Sequence, residues 1–580
     1  MMNRLLLTIV ALATCWTMML AAPAKPDPFV HTQSDGTTVT LVMQGGERIH
    51  SLTTLDGLTV QPTASGDYCY VVGGALSDVL AHDEGQRSIE EMAFITAYGG
   101  QMTLGAGVSR MPRREEEPPT PQVPTIGSPR IPIILVNYDD VKFISTDPIA
   151  TFENQFNEKQ YSCLHYFEDQ SRGMFSPQFD ILGPVELPQN REFYGDNIRK
   201  HGTEVDQQLG TMIYDACTGL PDVDFSNYDN DNDGYVDVVV VLYAGVGEAQ
   251  AWRAVPESVW PCQWDMREAY QWGCSTTGPF QLNGVTIDKF AVFNELEGGT
   301  NSSTSIDGVG TFCHEFGHCL GLPDFYNTEG GSSYGMSSWD IMDHGCYLNN
   351  GHRPAGYTSY ERHFMGWMNL IDPKVNTRYS LSPLGSGGAA VKVVNDANPD
   401  EYYLLEYRVK SGWDEYLSAE GIMILHVDYD KNAWDNNCPN NNANHQRMTL
   451  IPADNVLSSI NNRTDLWPQG SLDSLTNNSV PAAEVFTGGY MNKPITGMTV
   501  NSELQIAGFW YMQGVAALRG DADGDGEVTI ADITVIIDYL IMNDPYIISL
   551  DGADADRDDE ITISDIVAII DYICFGEWRI

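Results

Sequence analysis

His314, Glu315 and His318 stand in the run His314-Glu315-Phe316-Gly317-His318-Cys319-Leu320-Gly321-Leu322-Pro323-Asp324. Two histidines four apart on a helix share one face and lie about one turn from each other, which lets both imidazoles reach a single zinc ion. Glu315, next to the first of them, is placed to act as a general base on a water at that ion. Gly321 tolerates a positive φ, so the chain can turn sharply and bring Asp324 back as a third ligand. Three protein ligands leave one tetrahedral position open, which is the arrangement of a catalytic rather than a structural zinc.

Other residues follow from this run. Downstream, Ser338-Trp339-Asp340-Ile341-Met342-Asp343 puts Met342 where a turn can pass beneath the metal. Tyr347 is a candidate donor to a transition-state oxygen, with a purely structural tyrosine as the plainer reading. Cys313, Cys319 and Cys346 flank the ligands and read as small packing residues, since two histidines and an aspartate already complete the set.

Three acidic runs suggest calcium. Asp229, Asp231, Asp233 and Asp237 alternate as in the first half of an EF-hand loop, but position twelve is Val240, so that loop is incomplete. Clustered carboxylates repel one another unless a cation neutralises them, and a plain Asn/Asp turn is the alternative. Near the end of the chain, Asp521, Asp523, Asp525, Glu527, Thr529 and Asp532 fall at loop positions one, three, five, seven, nine and twelve, with Gly526 at six. Asp554, Asp556, Asp558, Glu560, Thr562 and Asp565 repeat the pattern, with Asp559 in place of the glycine. An apolar helical stretch follows each loop. Two loop–helix units in the same register imply two calcium ions, with further calcium at the 229–237 loop.

The elements that must position these residues divide into several domains, as 580 residues require. Residues 1–24 read as an export signal: a polar start at Asn3 and Arg4, an apolar stretch from Leu5 to Ala22, and a small-residue cleavage pattern at Ala22-Pro23-Ala24. Lipoprotein processing at Cys15 is the alternative, and Thr14 fits it poorly. Residues 25–126 are β-rich and end in the linker Met111 to Pro121, which is proline-rich and charged. They read as a prosegment, with Arg113, Arg114 or Arg130 as processing sites and a permanent β domain as the alternative. Cys69 could cap the metal in a latent form, although a buried strand cysteine is the simpler role. Residues 127–370 alternate strand and helix, with a helix expected over Phe152–Phe167 and a central strand over Val236–Tyr243. Residues 371–512 return to short β signals, and residues 513–580 hold the acidic repeat. A net charge of −48, from 79 acidic and 31 basic residues, excludes a nucleic-acid or anionic-membrane binder. No stretch beyond the export signal is long and apolar enough to span a bilayer, which places the mature chain outside the cell or on its surface. Export permits disulfides, but eleven cysteines do not fix their connectivity.

The run His314 to Asp324, the turn Trp339-Asp340-Ile341-Met342 and the stretch Val223-Asp224-Phe225-Ser226-Asn227-Tyr228-Asp229 together resemble the immune inhibitor A-type secreted metallopeptidases, over about residues 130–370. The resemblance implies an α/β metzincin-like catalytic domain, with Asp324 where most metzincins have histidine. It also implies an N-terminal prosegment and structural calcium. The C-terminal repeat resembles a type I dockerin. The expected architecture is therefore multidomain. A β-rich prosegment and a β-rich C-terminal region flank the catalytic domain, and a small all-α calcium-binding module closes the chain. The expected function is zinc-dependent endoproteolysis of protein substrates, with docking to a cohesin-type scaffold. The competing reading is a non-catalytic interaction protein held by the same module.

Overall fold

The computed structural model describes residues 20–46, 49–63, 65–99, 102, 122–200, 203–251, 255–300, 302–330, 334–457, 462–514, 518–524, 527–542, 549–558 and 560–578. Most of the expected export signal with Cys15, the linker with Arg113 and Arg114, Asp525, Gly526 and Asp559 lie outside the described residues.

The segment expected to hold the metal site is built on a six-stranded sheet. Its spatial order is Leu20–Ala21, Cys262–Asp265, Lys289–Leu296, Val239–Val246, Arg130–Asn137 and Gln178–Glu186. The last four strands are parallel. Cys262–Asp265 runs antiparallel to them, and Leu20–Ala21 is added antiparallel on its far side. Both faces are covered, so the inner strands are apolar throughout rather than alternating: all eight residues of Val239–Val246 are buried. Ile133, Leu135, Val240 and Leu242 face one core, shared with Phe312, Cys313, Phe316 and Cys319 of the helix Gly310–Cys319. Ile134, Val136, Val239 and Val241 face the other, shared with the helix Leu209–Thr218 and with Val39, Leu41 and Tyr70 of the N-terminal region.

Two expected elements shift. The central strand begins at Val239 rather than Val236, because Asp237 is held in the acidic loop by Asn230, whose backbone N–H and side-chain amide both donate to its carboxylate. The single helix expected over 152–167 is broken. Pro148–Glu153 runs on into a wider turn, Asn154–Glu158, and the chain reverses at Tyr161 with φ 65°. A new helix, Cys163–Ser171, then starts on a Ser162 cap.

The N-terminal region is a six-stranded antiparallel sheet running from Phe29–Thr32 to Ala75–Leu80. A helix not anticipated from the sequence, Ile89–Tyr98, follows it on a Ser88–Glu91 capping box. Cys69 is a buried thiol on the strand Tyr68–Val72. Arg130 opens an inner strand of the catalytic sheet and pairs with Asp180 at 2.6 Å, so cleavage there would cut the core of the domain, and it is not a workable processing site.

Residues 371–512 are not a separate body. A four-stranded sheet, Val391–Asn395, Asn398–Arg408, Gly421–Asp428 and Met448–Leu450, is buried on both faces. Tyr402, Leu404, Met423, Leu425 and Val427 enter the core of the metal-site helix, whereas Tyr403, Leu405, Ile422 and Ile424 pack toward a three-stranded sheet behind. The period of two sends alternate residues to the two cores. The C-terminal module packs helices Ile530–Met542 and Ile563–Phe575 over Ala522, Ala553 and Ala555. Among the described residues no helix is long and apolar enough to cross a membrane.

Candidate metal centre

The helix Gly310–Cys319 is fully buried, and two close approaches fix it. A Cβ on Gly310 would stand 1.9 Å from the carbonyl oxygen of Cys346, and one on Gly317 would stand 2.6 Å from the Met342 sulfur. Backbone cannot yield as a flexible thioether can. Gly310→Ala is therefore expected to cost about 3 kcal/mol, the upper end for overpacking, read as a lowered denaturation midpoint. After Cys319 the chain turns at Gly321, with φ 95°, and the Leu322 N–H returns to Gly317 O at 3.1 Å. This turn delivers Asp324.

The three expected ligands converge. His314 Nε2 and His318 Nε2 lie 3.1 and 3.3 Å from Asp324 Oδ1. None of the three atoms is in hydrogen-bonding geometry, although all are buried. The opposite ring nitrogens are occupied: His314 Nδ1 bonds Ile341 O at 2.7 Å and His318 Nδ1 bonds Leu322 O at 2.8 Å. A carbonyl can only accept, so each Nδ1 carries a hydrogen, and each Nε2 is the ring atom left to face a metal. Two imidazole nitrogens and a carboxylate oxygen, buried and aimed at one point, suit zinc. Burial alone would raise the Asp324 carboxyl, but the two imidazoles, His318 foremost, outweigh it and hold it down at about 2. Burial likewise opposes a charged His314, yet Asp324 and Glu315 push it up to about 9. A metal ion binding at this point would therefore displace a proton from His314.

Glu315 is fully buried beside His314. Burial pushes the hydroxyl pKa values of Tyr326 and Tyr347 well up, and nearby acidic groups, Asp324 for Tyr326 and Asp307 for Tyr347, with Glu315 for both, add to it. Met342 lies in a tight turn whose amide donates to Asp340 Oδ1 at 2.7 Å. Its carbonyl accepts from Phe325 N at 2.8 Å, one residue beyond Asp324, and the neighbouring Ile341 carbonyl holds His314. The methionine turn thus braces the first and third ligands together.

The chain's own residues 20–24 lie beside the helix Gly310–Cys319. Leu20–Ala21 pairs with Cys262–Gln263. Ala22 N donates to Pro261 O at 3.2 Å, Trp260 Nε1 to Ala22 O at 2.9 Å, and Tyr347 Oη to Pro23 O at 2.7 Å. Tyr326 Oη donates to Ala21 O.

The acidic loops group less completely than expected. Asp229, Asp231 and Asp237 bring carboxylate oxygens within 4.8 Å of one another. Asp233 is not part of that group, and its carboxylate accepts from Tyr235 N at 2.8 Å. Burial first, then Asp231 and Asp229, push Asp237 up to about 6. Asp521, Asp523 and Asp532 form a second group and Asp554, Asp556 and Asp565 a third. In the first of these two, Asp532 also accepts from Ala522 N and Thr529 N, both at 2.7 Å. Asp558 instead accepts from Glu560 N at 2.9 Å, and Thr562 and Asp565 form a capping box at the start of the last helix.

One residue at the site had no role in the sequence reading beyond a place in a loop. Asn437 hydrogen-bonds Asp324 on both its amide and its carboxylate. The only sequence signal is the density of asparagine around Cys438, because asparagine tolerates left-handed turns.

These features bring two imidazole nitrogens and a carboxylate oxygen to one buried point on an α/β sheet, followed by a paired acidic loop–helix module. Residues 136–368 match the family model for the immune inhibitor A peptidase M6 catalytic domain, and residues 519–574 match the dockerin type I domain. The two matches lie in that order along the chain. It is similar to immune inhibitor A of Bacillus thuringiensis subsp. alesti, at 24% identity over 301 residues, 42% of this chain and 41% of that protein. It is also similar to the pre-pro-metalloprotease PrtV of Vibrio cholerae serotype O1, at 26% over 268 residues, 41% of this chain and 28% of that protein. The chain thus spans less than half the length of these relatives.

Proposed function

We propose that the chain is an exported zinc endopeptidase, held latent by its N-terminal region and docked through its C-terminal module. The observation that carries the catalytic reading is the convergence of His314 Nε2, His318 Nε2 and Asp324 Oδ1, with their other polar atoms already satisfied. A zinc ion held there supplies Lewis acidity and lowers the pKa of the water it polarises to about 7. Glu315 takes the proton of the attacking water and passes it to the leaving amine. The edge strand Cys262–Asp265 receives the substrate in extended form, as it now receives Leu20–Ala21. Tyr347, whose hydroxyl meets a peptide carbonyl in the same cleft, steadies the substrate backbone. The oxygen groups at 521–532 and 554–565 hold one calcium ion each, with a third at 229–237, and the first two order a surface for a cohesin-type scaffold partner. Processing falls in the 111–121 linker at Arg113 or Arg114.

Chelation followed by separate return of each metal tests this reading on the processed protein. Zinc added in calcium-containing buffer is expected to restore casein cleavage. Calcium without zinc is expected to restore the helical circular dichroism of the C-terminal module and no cleavage. Cleavage restored by calcium alone would overturn the zinc assignment, and a helical signal indifferent to calcium would count against the two loops.

A further inference from the structure

The metal centre is completed from outside the matched peptidase segment. Asn437 follows the short helix Lys431–Asp435, in the β-rich region beyond residue 368. It is 5% exposed and adopts a left-handed backbone, with φ 49°. Its side chain grips Asp324 at two points: Asp324 N donates to Asn437 Oδ1 at 2.6 Å, and Asn437 Nδ2 donates to Asp324 Oδ2 at 2.5 Å. The backbone N–H can only donate, so the orientation of the amide is fixed by chemistry. Asp324 is thereby left with one oxygen, Oδ1, facing the two histidines.

The same loop holds the chain after the ligand. Asn440 Nδ2 donates to Phe325 O at 2.7 Å, while Asn441 Oδ1 accepts from Thr328 N at 2.9 Å. Those two bonds are scaffolding. Only Asn437 touches the ligand.

We propose that Asn437 is a positioning residue that holds Asp324 as a one-oxygen zinc ligand, so that the β-rich region 371–512 is part of the metal centre. This rests on the zinc reading above. A carboxylate free to swing can offer two oxygens or rotate away. The amide clamp removes both options, and its donor neutralises part of the charge on the oxygen that does not face the metal.

The test uses the full chain with Asn437→Gly, which keeps the positive φ and removes the amide. Asn437→Asp keeps the acceptor for Asp324 N but sets carboxylate against carboxylate. Asn441→Gly is the scaffolding control. Zinc affinity is measured by competition with a chromogenic chelator, and the site is read separately from the visible spectrum of the cobalt-substituted protein. Asn437→Gly is expected to weaken zinc binding 10- to 100-fold, the range for losing a partner of a metal ligand, and to change the cobalt spectrum. Asn437→Asp is expected to do the same or worse, and Asn441→Gly to leave zinc affinity within about twofold of wild type, well below that range, with an unchanged spectrum. Equal affinity and an identical spectrum for wild type and Asn437→Gly would overturn the positioning role alone. So would an equal loss in Asn441→Gly. A wild-type chain that takes up no zinc would overturn the metal reading itself, and this inference with it.

Discussion

Glu315→Gln is expected to keep one zinc ion per chain and to lose on the order of 10³-fold in kcat on casein, within the span for removing a general base. The two outcomes are separable because Glu315 is not among the three converging ligand atoms. Glutamine matches glutamate in volume, so the buried position stays filled and the helix Gly310–Cys319 keeps its packing. It cannot, however, accept a proton from water. Zinc counted by mass spectrometry under native conditions, beside casein cleavage after removal of the N-terminal region, checks both halves. Equal cleavage by variant and wild type would sink the assignment of Glu315 as the base, and no cleavage by the processed wild type would favour the non-catalytic docking protein. Loss of zinc together with activity would instead make Glu315 a structural support of the ligands.

The convergence of His314, His318 and Asp324 was legible in the sequence because its signals are local. His314 and His318 are joined by helical period, and Asp324 by a turn that Gly321 permits. The acidic repeats are equally local, and Asp532 and Asp565 fall at the loop positions where a cation's last ligand belongs. Contacts that close over long stretches of chain were not legible. Asn437 meets Asp324 across 113 residues, and Tyr347 meets Pro23 across 324. Neither pairing leaves a period or spacing to read. The two-faced burial of Asn398–Arg408 was hidden for a related reason. An apolar run reports that both faces are covered but not by what, and here one cover is the catalytic core itself. The Phe152–Phe167 helix failed on a backbone feature, the reversal at Tyr161, where a non-glycine residue takes a positive φ.

The second large effect concerns the segment in the cleft. Residues 20–24 fell within the expected export signal, yet Ala22 and Ala24 are fully buried against the catalytic domain and the N-terminal sheet. The segment takes the edge that a substrate strand would need, and the helix carrying His314 and His318 packs against it. It is held by main-chain bonds from Ala22 N to Pro261 O, Ala24 N to Gly45 O and Lys25 N to Ala249 O. Trp260, Tyr326 and Tyr347 add side-chain donors. Six bonds at about 1 kcal/mol each are offset to a similar extent by about 1–2 kcal/mol of backbone entropy for each residue ordered, so the segment can compete with substrate but cannot block the site outright. Occupancy of this kind competes with substrate, so its removal should act mainly on KM. A chain beginning at Asp27, with the N-terminal sheet intact, is therefore expected to show roughly tenfold higher kcat/KM on casein than one beginning at Leu20, as about 1.4 kcal/mol of net plug affinity requires. Cleavage in the 111–121 linker with loss of the whole N-terminal region should add to that gain, because Gly45 and Gly46 on the first sheet also border the cleft through Ala24 and Tyr326. Equal kcat/KM for the two starting points would show that the plug gives way without cost, and would move the source of latency to the sheet.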